Sequence, residues 1–472
     1  MRSRVTLATL WVVFAAAPAL AETIHLKNGR TILADNVREI GSRYQYEIGD
    51  DTYAISKASV DRIEAGGLPP RPASSGESTN DLPAITPPDT LPHAGDLPGT
   101  IIRDGKVDPD ALAKLESKGN PELSATAEFL AGKFEFDHGN LSQSRRYFDA
   151  ALRFQPENST VLLYYAAALV RTGNPSQAIS YAQRAVSAAP ASPDAYTVLG
   201  YAQQAADHTP DAIASWKHSL DLRPDAAVQQ YLDKAQREQS AESDFSQNES
   251  GHFTLHYEGR QTSASFRQQI LAALESDFDD LSATLGTPPR DNILVTLYTE
   301  QAFFDVTRAP SWTGAINDGK LRIPIHGLNT LSPELARILK HELAHSFINQ
   351  ASAGRCPTWL NEGLAQMLEP KSLGGDGRQL AQLFKAQRNL PLNALEASFM
   401  NFSGPQATLA YAESLAAVSF INQTYGIGDV QRILQRLSQG SSTEAALRFT
   451  IHSDYAQLES DLAKSLADQY GD

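Results

Sequence analysis

Near the N-terminus, apolar residues recur at every second position. Ile24-His25-Leu26 runs to Asn28-Gly29, and Thr31-Ile32-Leu33 resumes. Tyr44-Gln45-Tyr46-Glu47-Ile48 alternates, Gly49-Asp50-Asp51 turns, and Thr52-Tyr53-Ala54-Ile55 follows. Period-two alternation places one face on a core, and Asn-Gly favours a tight hairpin. Residues 22–65 therefore predict a small SH3-like β module of four or five strands, suited to binding or tethering. A second alternating stretch, Phe253-Thr254-Leu255-His256-Tyr257, precedes a helix-length segment from Ser263 to Leu285 and a strand at Ile293–Tyr298. Lys320–Ile325 follows the Asp318-Gly319 turn, and beyond Ser332 the pattern is almost wholly helical. A few strands followed by many helices predicts an α+β domain over residues 251–470.

Between these regions the pattern changes twice. From Gly66 to Gly99 the chain places eight of its 26 prolines among Ser, Gly, Thr and Asp. Such a segment buries too little apolar surface to fold, so residues 66–105 are expected to form an extended linker. The next region repeats. Pro156, Pro190 and Pro224 are 34 residues apart, and Gly139, Gly173 and Asp207 keep that period, as do Leu152, Val186 and Leu220. This phase resembles the tetratricopeptide repeat, in which each helix pair has an apolar face that only a stacked neighbour covers. The resemblance implies three repeats over residues 120–235, an all-α array that presents a surface to a protein partner. Phe148, Tyr164, Tyr181 and Trp216 are expected in its core.

Composition narrows the classes. The 472 residues carry a formal charge of −15, which argues against a nucleic-acid binder. The single cysteine, Cys356, excludes a disulfide scaffold and a cysteine-based zinc cluster. Arg2 and Arg4, the apolar stretch Leu7–Ala17 and the Ala19-Leu20-Ala21 site have the form of a secretory signal peptide over residues 1–21. Cleavage after Ala21 would remove two arginines and leave a charge of −17. No later segment is apolar enough to span a membrane, so the mature protein is expected in the periplasm or outside the cell.

The chemistry concentrates in one helix. Ser332-Pro333-Glu334 forms a start signal, and His341-Glu342-Leu343-Ala344-His345 follows. Histidines four apart share a helix face and can converge on one zinc ion, with Glu342 placed to act as general base on an attacking water. Downstream lies Trp359-Leu360-Asn361-Glu362-Gly363-Leu364-Ala365. This run resembles the second metal-ligand helix of the gluzincin metallopeptidases, and especially the peptidase MA-like group. The resemblance implies a thermolysin-type domain with one zinc per chain on His341, His345 and Glu362, with Glu342 as base. The metzincin pattern is excluded, because Ile348 and Ala351 stand where it requires glycine and a third histidine.

Two departures matter. Sixteen residues separate His345 from Glu362, so the connection must be tighter than in the thermolysin and aminopeptidase branches. Gly314-Ala315-Ile316-Asn317-Asp318 resembles the aminopeptidase segment whose glutamate holds a free amine, but Asn317 occupies that place. Gly314, Ala315 and Asn317 are then candidate substrate-binding residues on an edge strand, or simply an ordinary hairpin. Tyr411 resembles the oxyanion-donor tyrosine in placement, with Tyr425, His326 and Arg355 as competitors. Cys356 reads either as a thiolate zinc ligand or as a half-buried thiol.

Taken together, the sequence predicts an exported zinc peptidase whose repeat array recruits a peptide or protein substrate or partner. The alternative is a catalytically inactive adaptor of the cell envelope with a peptidase-like binding domain.

Overall fold

The computed structural model describes residues 22–27, 31–34, 36–48, 51–65, 97–103, 105–259, 262–308, 315–325, 327–369, 371–374, 376–397, 399, 402 and 404–471. The proposed signal peptide, 1–21, lies outside them, as do Gly314, His326 and residues 66–96 of the expected linker. Among the described residues no helix is long and apolar enough to cross a membrane. The chain is mostly helical.

Six strands, not four or five, build the N-terminal β unit: β1 (Glu22–Leu26), β2 (Thr31–Ala34), β3 (Asn36–Ile40), β4 (Arg43–Ile48), β5 (Asp51–Ser56) and β6 (Val60–Ala65). They form two antiparallel sheets of order β2-β1-β6 and β3-β4-β5. Buried Ile24 and Val60 pack with Val37, Tyr44, Ile55 and Ile63.

The larger unit begins with α1 (Leu97–Ile101), the two-residue strands β7 (Ile102–Arg103) and β8 (Lys106–Val107), and α2 (Pro109–Glu116). The linker expectation therefore fails at its C-terminal end. Leu97 and Ile101 are buried with Leu112, Leu115 and Ala131, enough apolar surface to order a segment whose prolines suggested otherwise.

Helices α3 (Pro121–Asp137), α4 (Leu141–Phe154), α5 (Ser159–Arg171), α6 (Pro175–Ala188), α7 (Pro193–Ala205), α8 (Thr209–Leu222) and α9 (Ala226–Ala241) stack as successive hairpins on one core. Asn120, Asn158, Ser192 and Asp225 each cap a helix with a side-chain oxygen. The 34-residue phase has two structural causes. Gly139, Gly173 and Asp207 all take φ between +64° and +73°, the left-handed turn between paired helices. The glycines at 132 and 200 lie directly under Phe148 and Trp216, where a Cβ would collide with the rings. Phe148, Tyr164 and Trp216 are buried, and Tyr181 packs on Tyr165 with ring centroids 4.4 Å apart.

The C-terminal region is built around a five-stranded sheet: β9 (Phe245–Glu249), β10 (Phe253–Glu258), β11 (Ile293–Tyr298), β12 (Ile316–Asn317) and β13 (Leu321–Pro324). Its order is β12-β13-β11-β10-β9, with β10, β11 and β13 mutually parallel and the two edge strands antiparallel. Helix α10 (Ala264–Leu285) connects β10 to β11 and packs on α12 (Pro333–Ser352), while α11 (Glu300–Thr307) follows β11. Then come α13 (Thr358–Leu368), α14 (Asp376–Lys385), α15 (Gly404–Tyr425), α16 (Ile427–Ser438), α17 (Thr443–Ile451) and α18 (Tyr455–Tyr470).

A buried ionic network joins the helical array to this sheet. Arg322 on β13, 2% exposed, donates to Asp318 at 2.9 Å, to Glu238 of α9 at 3.1 Å and to the Tyr298 hydroxyl at 2.7 Å. Lys320 pairs with Glu238 and, at 2.6 Å, with Asp207 in the turn before α8. Burial pushes the Glu238 carboxyl up, but Arg322 and Lys320 outweigh it and hold it down at about 2. Arg355 makes a second tie. It donates to the carbonyls of His138 at 2.7 Å and Gly440 at 3.2 Å, spanning the first hairpin turn and the end of α16.

Candidate metal centre

Helix α12 starts where Ser332 Oγ accepts from the Leu335 amide at 3.1 Å, with Pro333 at its first position. The cap sets the helix phase. Two turns on, His341 and His345 face the same direction, with their Nε2 atoms 3.2 Å apart. The helix ends with Ala353 at φ 51° and Gly354 at φ 73°, a reversal that shortens the path to α13. This reversal makes the short connection possible.

Helix α13 delivers the carboxylate. Glu362 Oε2 lies 3.7 Å from His341 Nε2 and 3.8 Å from His345 Nε2, and its residue is 1% exposed. One ligand atom from each of the three residues falls within 4.8 Å of the others. Gly363 lets this happen, since a Cβ there would run into the Ser414 carbonyl oxygen and Val418 of α15. Gln366 adds a tie from α13 to α15, donating to the Tyr411 carbonyl at 3.0 Å.

Around these residues lies a shell of oriented groups. His345 Nδ1 is 2.9 Å from Asn361 Oδ1; an amide oxygen only accepts, so the imidazole donates there and its Nε2 lone pair turns inward. His341 Nδ1 faces Glu369 Oε1 at 3.7 Å. Burial pushes the Glu342 carboxyl up to about 7, reinforced by Glu362 and Glu369 and opposed by His345 and the Asn317 backbone amide. Its Oε2 is buried with no hydrogen-bond partner among the described residues. His345 has a raised pKa: burial lowers it, but Glu362 and Glu342 raise it further, whereas burial and the neighbouring His345 hold His341 well below its ordinary value.

The other expected residues divide. Asn317 donates its amide to the Glu342 carbonyl at 2.6 Å and to Ser346 Oγ at 2.8 Å, and its oxygen accepts from Gly319. It binds the edge strand to α12, so its side chain is not free to hold a substrate. Ala315 is half-buried just before β12. Tyr411 lies on α15, and burial together with Glu362 and Glu342 pushes its phenol well above 10. Tyr425 sits fourteen residues on, about 21 Å along the same helix. Arg355 points to the first repeat hairpin instead of the centre. Cys356 is half-buried, burial and Glu362 push its thiol well up, and the convergent ligand atoms are those of His341, His345 and Glu362.

Sequence reasoning missed the positions of Asn361 and Glu369 around the histidines. Glu369 lies seven residues after Glu362, two helical turns along the same face, which is the signal that could have found it.

Residues 277–468 match the Peptidase MA superfamily, and residues 159–203 match a tetratricopeptide repeat. No curated protein matches. Among solved structures, MamA residues 41 to the end from Desulfovibrio magneticus RS-1 is 23% identical and has a TM-score of 0.25, covering 28% of this chain and 75% of that one. The MamA RS-1 ArsTM double mutant is likewise 23% identical at a TM-score of 0.25, covering 28% of this chain and 74% of that one. The chain thus carries a Peptidase MA superfamily domain behind a tetratricopeptide repeat segment.

Proposed function

We propose that the protein is a zinc-dependent peptidase of the gluzincin kind, exported by the leader pattern ending at Ala21, with the repeat array forming one wall of its substrate path. The observation that carries this reading is the convergence of His341 Nε2, His345 Nε2 and Glu362 Oε2 beside a buried, half-unpartnered Glu342. The donor set fits the ion. Ligands at zinc–nitrogen and zinc–oxygen distances in a tetrahedron lie about 3.3–3.4 Å apart, close to the separations of 3.2, 3.7 and 3.8 Å here. Two imidazoles and one carboxylate are also the protein ligands of an open catalytic site.

Zinc, when bound there, supplies Lewis acidity to the reacting centre. The chain's own residues do the rest. Glu342, with its carboxyl near 7, takes a proton from the attacking water and returns it to the departing amine. Asn361 fixes the His345 tautomer, and Asn317 fixes the height of Glu342 relative to the edge strand. Tyr411, neutral at physiological pH, is the candidate donor to a developing oxyanion.

The test compares full-length protein with Glu342→Gln. One zinc per chain in both proteins, with cleavage of a mixed peptide library only in the first, supports the reading. Absence of bound zinc after incubation with the metal overturns it.

A further inference from the structure

Two cavities meet between the helical array and the C-terminal region. The first, about 260 Å³, reaches the metal centre at His345, Asn361 and Asn317 and is walled on the array side by Tyr201, Trp216 and Tyr231. The second, about 460 Å³, lies further along α12. They share Gly173, Arg290, Asn349 and Gln350, so one path runs from His345 into the second cavity. Asn349 is one turn beyond His345, about 6 Å along α12, and Ala353 in the second cavity is about 12 Å along. That distance corresponds to three or four residues of extended peptide.

The second cavity has an unusual charge. Arg145, Arg171 and Arg290 line it, and among the described residues no aspartate or glutamate does, in a chain with a formal charge of −15. The arginines come from α4, α5 and the loop before β11. Two of them are supported by aromatic faces: Arg145 lies 6.0 Å from the Tyr165 ring centroid and Arg171 lies 4.5 Å from that of Phe136. Arg145 Nε is buried without a hydrogen-bond partner among the described residues. The remaining polar lining includes Gln350 and Gln435, whose side-chain amides can donate.

We propose that Arg145, Arg171 and Arg290 form an anionic subsite that takes a carboxylate of the peptide substrate, three or four extended residues from His345. Planar guanidinium forks match a carboxylate, and the wall they stand on belongs partly to the repeat array. The array thereby sets specificity by supplying part of the site. This inference rests on the peptidase reading for the identity of the ligand as a peptide. The carboxylate has two sources, an acidic side chain or the C-terminus.

The experiment measures binding separately from cleavage. Fluorescence anisotropy is recorded on full-length Glu342→Gln protein with three labelled decapeptides. One is glutamate-rich and C-terminally amidated, one is its glutamine counterpart, also amidated, and one is the glutamine peptide with a free C-terminus. The same peptides are tested on the background carrying Arg145→Gln and Arg290→Gln, and on one carrying Arg145→Lys and Arg290→Lys, with thermal midpoints recorded for each.

Tighter binding of the glutamate peptide, by tenfold or more over the amidated glutamine peptide, assigns the subsite to acidic side chains. The same preference for the free C-terminus assigns it to the terminal carboxylate. Either preference should disappear in the glutamine pair and survive largely in the lysine pair, which retains charge and controls for misfolding. Equal binding of all three peptides, or a preference unchanged in the glutamine pair, overturns the proposal. Carboxylate-selective binding in a protein that cleaves nothing before the Glu342 substitution refutes the peptidase reading and leaves the subsite standing.

Discussion

His345 Nδ1 lies 2.9 Å from Asn361 Oδ1, so the residue immediately before one candidate ligand orients the ring of another. Removing that acceptor frees the imidazole to rotate and to exchange tautomers. Asn361→Ala should therefore weaken zinc affinity by about 10- to 100-fold, measured by competition with a chromophoric chelator, with helical circular dichroism unchanged. Unaltered affinity in a folded variant would show that Asn361 does not orient the ligand.

The packing of α13 on α15 gives a second expectation. In Gly363→Ala the new Cβ meets the Ser414 carbonyl and Val418, so the helices must separate. The cost should be about 1–3 kcal/mol in urea unfolding, accompanied by weaker zinc binding because Glu362 is displaced with the helix. Gly428→Ala is the control: nothing lies within 4 Å of its would-be Cβ, and it should be neutral or stabilising by about 0.5 kcal/mol.

Glu413 makes stability depend on pH. It is fully buried on α15, and both its oxygens accept from the Leu390 amide, at 3.0 and 3.1 Å. Burial raises its carboxyl from 4.5 to about 8, against the Leu390 hydrogen bond. Between those values the native state holds a proton that the unfolded chain has released. The stabilisation is complete below about 4.5 and is lost as pH rises through about 8, with a slope of at most about 1.4 kcal/mol per unit. Denaturation midpoints of Glu413→Gln should decline less across this window than those of the unsubstituted protein. Parallel profiles would remove Glu413 as the cause.

The ionic junction predicts a loss of cooperativity. Arg322→Met leaves Glu238 and Asp318 buried with one cation fewer, which should cost about 3–5 kcal/mol. Calorimetry should show the array and the sheet unfolding together in the parent and in separate transitions in the variant. A single unshifted transition would mean that apolar packing alone joins them.

What was readable in the sequence was local. The repeat was legible because Gly139, Gly173 and Asp207 each occupy a left-handed turn that only a few residue types tolerate. The histidine pair was legible because a spacing of four on a capped helix fixes a shared face. Glu362 was legible through its neighbours, whose roles the fold explains: Asn361 orients His345, and Gly363 admits α15. The unreadable parts depend on distant partners. Lys320 meets Asp207 across 113 positions and Arg355 meets His138 across 217, and no period or motif records such pairings. Strand β9, Phe245–Glu249, was hidden in a polar stretch because it is an edge strand with mostly exposed side chains.

The two ties between the array and the C-terminal region have a mechanical consequence. Stacked helical hairpins ordinarily behave as a spring whose pitch can open or close around a guest. Here Arg355 grips the first hairpin turn, while Lys320 and Arg322 grip the turn before α8 and helix α9. A spring clamped at both ends is a splint. It keeps a constant gauge between the array and the sheet that carries Lys320 and Arg322.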